Sequence, residues 1–233
     1  MEKQQLWLKW VTVSAVGWLM GLIAAMLTNL SLIRVLKFVI SLTISDVYSS
    51  ALDEVMADNI GDGIPGNFIG TQLALRLGFL FGFVKGAAFG AVGGLAQALV
   101  LRRYIFKTHV WVIASTLAWA CIWGAIWGSA WAWGWAGTMQ ASTTIRYGLL
   151  AAVGIGILEW LALRGQVSQA YWWILAIVST WGVSYFVVLS HWSRIFFAFP
   201  LYLRWLLAGM GNGVLTGGVL AWLLRSRKTN TTG

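Results

Sequence analysis

Six stretches of this sequence stay apolar for about the thickness of a bilayer, and they fall near 8–27, 77–101, 110–133, 147–163, 172–189 and 205–224. A helix needs ~20 predominantly apolar residues to cross the hydrocarbon. Of the 233 residues, 59% are hydrophobic and 10% charged, where a soluble domain carries about 25% charged residues. One aqueous core cannot hide so much apolar surface, and lipid is the natural solvent for it. The expected fold class is all-α: a polytopic membrane helix bundle, a single integral membrane domain over 1–233.

The net charge is +9, but most basic side chains sit at the ends of the apolar runs, where they anchor helices and set orientation. That placement argues against a nucleic-acid surface. With both termini cytoplasmic, the inner side holds Lys3, Lys9, Arg102, Arg103, Lys107, Arg164, Arg225, Arg227 and Lys228. The outer side then holds Arg34, Lys37, Arg76, Arg146, Arg194 and Arg204. The inner excess favours this orientation, in a bacterial inner or thylakoid membrane. The polar stretch before the first span reads as retained, with no evident cleavage site. The single cysteine, Cys121, allows no intrachain disulfide, and its apolar neighbours predict a buried, inert thiol.

A longer connection, 29–70, separates the first two spans. Ser31, Arg34, Lys37, Ser41 and Ser45 recur at helical intervals opposite Leu32, Leu36, Val39 and Ile40. This predicts an amphipathic helix on the membrane surface. Asp46, Asp53, Glu54, Asp58 and Asp62 follow, and Gly61, Gly63, Pro65 and Gly66 break the chain. Asp58 to Ile69 fails as a calcium loop, because Ile60 and Ile69 stand where ligands are required.

An internal repeat organises the rest. Gly86, Gly90 and Gly94 are spaced by four and lead to Leu101-Arg102. Gly148, Ala152 and Gly156 lead to Leu163-Arg164 at the same distance, and Gly209, Gly213 and Gly217 to Leu224-Arg225. The alternate spans share a pair of tryptophans eight residues apart: Trp10 and Trp18, Trp111 and Trp119, Trp173 and Trp181. The repeating unit is a helix hairpin, Trp-marked outward and Gly-striped on return. Three units result, over 8–103, 110–164 and 171–227, with 29–70 inserted in the first. Small residues at every fourth position let backbones approach closely. The striped helices are expected to gather near a pseudo-threefold axis, or each to pack on its own hairpin partner.

These residues resemble a loose group of Gly/Trp-rich multi-pass membrane proteins of bacteria, common in cyanobacteria. The matching stretches run from Gly94 to Arg103, from Leu158 to Gln166 and from Ala170 to Ala176. The resemblance implies a bacterial, cyanobacterial-like source and the same hairpin repeat. It implies no activity, cofactor or catalytic residue.

Few side chains offer chemistry. Glu159 is the one carboxylate inside a predicted span, five residues before Arg164 and matched in the repeat by Gln97 and Leu220. It reads either as a polar group paired to Arg102, Arg225 or a neighbouring helix end, or as a proton or cation site. Lys85, beside Gly86, either snorkels outward or faces a cavity. By register it lies ~18 Å from Glu159. Arg102, Arg164 and Arg225 share one depth and mark helix ends, or together bind an anion or lipid head group. Trp119, Trp123, Trp127 and Trp131 form an aromatic face through the third span. That face packs on glycine, meets a partner, or stacks on a pigment, quinone or vitamin. His109 and His191 lie near opposite faces, so no metal site is expected, and no nucleophile or phosphate-loop motif occurs.

Two functional readings follow. The first is a structural, assembly or accessory subunit packing against a membrane-protein partner or a second copy. The alternative is a small-molecule transporter or substrate-binding subunit with an apolar, aromatic ligand cavity. An enzyme is disfavoured, since no acid–base set converges at one depth.

Overall fold

The computed structural model describes residues 2–43, 68–133, 141–189 and 199–226. They form six α-helices: α1 (Glu2–Thr43), α2 (Phe68–Leu101), α3 (Thr108–Trp133), α4 (Ala141–Leu163), α5 (Trp172–Leu189) and α6 (Leu201–Ser226). No strand occurs among the described residues. Four of the helices hold segments long and apolar enough to cross a membrane: Gln4–Leu32, Leu75–Leu101, Thr108–Ser129 and Leu201–Leu224. The apolar segments of the other two, Leu149–Leu163 and Trp172–Val183, are shorter.

Helix boundaries follow from local chemistry. Pro200 lies outside the helix interiors, where a missing N–H would break the ladder. It opens α6, its carbonyl accepting from Leu203 N (3.0 Å) and Arg204 N (3.1 Å). After α4, Gly165 takes φ +79°, a left-handed turn that costs glycine little.

The amphipathic segment is not a separate surface helix. Residues 31–43 continue α1 in unbroken helical hydrogen bonding. No glycine or proline occurs between Gly21 and Gly61 to stop it, so a helix of 42 residues runs ~63 Å at 1.5 Å per residue. The acidic stretch from Asp46 to Asp62 lies outside the described residues.

Each helix packs against the next in sequence, and α6 returns to α1, so the six close a ring. The glycine stripes lie at the contacts of α2 with α3, α4 with α5 and α6 with α1. On α2, an added Cβ at Gly86 would collide with the Trp119 carbonyl, one at Gly90 would lie 2.5 Å from the Ser115 carbonyl, and one at Gly94 3.1 Å from Ser115 Cβ. On α4, an added Cβ at Gly156 would lie 3.0 Å from Ile174 Cα of α5, one turn past the fully buried Ala152. On α6, an added Cβ at Gly209 would lie 2.8 Å from the Ser14 carbonyl oxygen of α1, and one at Gly213 2.8 Å from Val11 Cα. The stripes therefore meet neither one another nor their own hairpin partners. Each receives a tryptophan-bearing helix: α3, α5 and α1 in turn. The surroundings of Gly148 lie outside the described part of the structure.

Candidate functional site

Two layers of tryptophan fill the inside of the ring. In the first, Trp10, Trp111 and Trp173 are almost wholly buried. Their rings meet edge to face around the axis, with centroids 6.1, 5.4 and 6.0 Å apart. This is the preferred geometry of paired aromatic quadrupoles. In the second layer Trp119 lies 5.5 Å from Trp18 and 6.0 Å from Trp181. Phe89, Trp123 and Trp205 thicken it: Phe89 lies 4.6 Å from Trp119 and stacks on Trp123 at 5.5 Å, and Trp205 sits 5.8 Å from Trp18.

Each indole of the first layer has a polar tip that must be satisfied once buried. Trp111 Nε1 donates to Gln97 Oε1 (3.2 Å) and Trp173 Nε1 to Glu159 Oε2 (2.9 Å). Trp10 Nε1 donates to Thr216 Oγ1 (2.9 Å). All three bonds cross a glycine seam. The first two join residues 14 apart in sequence, whereas the third spans 206. At the third seam the register match of Gln97 and Glu159 is Leu220, which is apolar and fully buried. Thr216, one helical turn away, supplies the acceptor in its place.

Between the layers, four residues beyond the first tryptophan, stand Ser14, Ser115 and Ile177. Serine is too small to fill the gap, which leaves a cavity of about 20 Å³. Glu159 faces it, fully enclosed, and accepts from Ser115 Oγ (3.0 Å) as well as from Trp173. Gln97, Asn212 and Thr216 also line it. Ser14 Oγ is buried and has no hydrogen-bond partner.

The predicted site residues divide accordingly. Gln97 and Glu159 come together on this cavity, and the partners of Glu159 are an indole and a hydroxyl rather than an arginine. Lys85 is elsewhere and buried, its Nζ 3.7 Å from the centre of the Trp127 ring. It does not line the cavity; a desolvated ammonium over an indole face gains a cation–π contact. Arg102 and Arg164 are exposed, and Arg164 lies 5.4 Å from the Trp160 ring. The side chain of Arg225 lies outside the described residues. Trp119, Trp123 and Trp127 pack their Cβ atoms on Gly90, Gly86 and Gly82, and the side chain of Trp131 lies outside the described residues. Cys121 is exposed, not buried, because Ala118, Trp119 and Ile122 take the inward positions of its turn. Among the described residues no group of His, Cys, Asp and Glu could hold a metal as a cluster.

Sequence reasoning missed Ser14, Ser115, Asn212 and Thr216. The recurring offset of 14 residues from Gln97 to Trp111 and from Glu159 to Trp173 was a usable signal. It also missed Gln166, whose Oε1 accepts from Phe106 N (3.0 Å) and Lys107 N (3.1 Å) and ties the α4–α5 turn to the α2–α3 turn. Comparison with family models, curated proteins and solved structures finds no match to this chain.

Proposed function

We propose that the chain is a structural or accessory subunit of a membrane assembly, crossing the bilayer six times as three tryptophan–glycine hairpins with both termini cytoplasmic. The observation that carries the reading is the filled interior. Binding pockets for organic ligands span ~300–1,000 Å³, whereas the cavity on the ring axis measures about 20 Å³. A pigment, quinone or vitamin has no room there, and the aromatic face of α3 is spent on the glycines of α2. Work done by such a bundle falls to its outside, which is apolar and carries exposed Leu150, Leu99 and Trp222.

The hairpin repeat is supported by the way each tryptophan helix meets the preceding glycine stripe. Kinship with the bacterial Gly/Trp-rich group belongs to the same proposal and rests on its Leu-Arg helix ends. The alternative, a carrier with an aromatic ligand cavity, draws its support only from the polar groups around Glu159.

The test is purification of the tagged protein from its native membrane in mild detergent, with mass spectrometry and an absorption spectrum of what accompanies it. Stoichiometric membrane proteins are the expected result. A lone protein carrying a bound organic ligand overturns the reading.

A further inference from the structure

We propose that the cavity beside Glu159 is a binding site for one small monovalent cation, of the alkali class. Three observations converge on it. The first is volume: about 20 Å³ accommodates one particle the size of a water molecule. The second is the orphaned hydroxyl: Ser14 Oγ lines the cavity with no partner in the protein. A buried polar atom left unpaired is unfavourable, so the geometry calls for an occupant within its reach.

The third is charge. Glu159 accepts one hydrogen bond at each oxygen, about half of what a carboxylate can take. Among the described residues no lysine, arginine or histidine lines the cavity, and Lys85 is held over Trp127. A lone carboxylate inside an apolar bundle is costly until an opposite charge neutralises it. A monovalent ion supplies that charge and takes oxygen from Ser14, Ser115, Glu159 and the Asn212 amide. Gln97 Oε1 and Thr216 Oγ1 are already engaged by the indoles of Trp111 and Trp10. A divalent ion fits poorly: calcium takes 6–8 oxygens, usually several carboxylates, and magnesium keeps several waters. The site joins Ser14 of α1, Ser115 of α3, Glu159 of α4 and Asn212 of α6, so its occupant draws together all three hairpins. It stands whether or not the outer faces of the ring carry partners.

The experiment uses the purified full-length protein in detergent at constant ionic strength, with NaCl or KCl titrated against choline chloride. Thermal unfolding and tryptophan emission are read together, since the Trp173 indole is bonded to the carboxylate at the site. The proposal expects a saturable rise in unfolding midpoint and a parallel emission change with Na⁺ or K⁺. Glu159→Gln should abolish both. Ser14→Ala should weaken the apparent affinity about tenfold, the scale of ~1.4 kcal/mol for one ligand. Arg164→Gln, on the exposed surface, should leave both unchanged. Equal behaviour in choline and alkali salts overturns the proposal, as does a response that survives Glu159→Gln. A response to acid alone, with none to alkali ions, assigns the site to a proton and overturns it too. Should Glu159→Gln fail to fold, Ser14→Ala decides by the same titration: an unshifted affinity rejects the site.

Discussion

At the residue scale, the indole N–H groups of the first tryptophan layer do unequal work. Trp173 donates to a carboxylate at 2.9 Å and Trp111 to a neutral amide at 3.2 Å. Hydrogen bonds to charged groups are worth ~1.5–3 kcal/mol, and neutral ones ~0.5–1.5 kcal/mol. Trp173→Phe keeps an aromatic ring and removes the donor, so it should destabilise the protein more than Trp111→Phe. Denaturant titration of the two variants in mixed micelles checks the order; equal losses would show that ring size alone matters. Lys85→Met keeps the length of a buried side chain and removes a desolvated charge. Expression and unfolding midpoint should stay within the experimental spread of the parent, because replacing a buried charge by a fitting apolar group is often neutral. The individual groups were only partly legible in the sequence. Glu159 stood out as the single carboxylate inside a predicted span. Its partner Ser115 did not, because 44 residues separate them and no local pattern says which helix a glycine stripe will meet.

At the element scale, the stripes are seams of fixed polarity. On α2 and α6 the opposing backbone is so close that an added methyl group has no space, on α4 the approach at Gly156 is tight, and other glycines of these helices face open surroundings. Gly86 meets the Trp119 carbonyl, whereas nothing lies within 4 Å of a Cβ added at Gly154 or Gly218. Gly86→Ala should therefore cost ~1–3 kcal/mol, as overpacking does, and Gly90→Leu considerably more. Gly218→Ala should be neutral or slightly stabilising, because alanine favours helix. Folded yield and unfolding midpoint read the contrast directly; parity of Gly86→Ala and Gly218→Ala would deny the stripe its packing role. The four-residue spacing made the stripes visible in the sequence. Their choice of neighbour was invisible, since the same spacing serves a helix packed on its own hairpin mate. Helix extent was legible wherever a basic pair or a glycine turn ended an apolar run. It failed at residues 31–43, where amphipathic spacing described a surface helix but nothing in the sequence interrupted α1.

At the scale of the whole molecule, the ring is held shut by the contact of α6 with α1. Its polar clasp is the bond from Trp10 to Thr216, flanked by Trp7 Nε1 donating to the Val214 carbonyl (3.1 Å). Trp10→Phe and Thr216→Val should each lower stability, and the double variant should lose less than their sum. A coupling of about 0.5–1.5 kcal/mol is expected for one neutral hydrogen bond, measured as a double-mutant cycle of unfolding free energies. Strict additivity would mean the clasp contributes nothing. The closure could not be read from the proposed repeat, because Leu220 stands at the register position of Gln97 and Glu159, and the acceptor is Thr216, one turn away. It has a consequence for biosynthesis. The two residues of the clasp are 206 apart in the chain, and ribosomes add about 5–20 residues per second. Some ~10–40 s thus pass between the emergence of Trp10 and that of its acceptor. Throughout that interval the nascent α1 carries unmatched indoles and half of an unformed seam. The last helix to be inserted is the one that makes the first helix native, so a chain cut short by a stop codon before α6 leaves α1 open to membrane quality control.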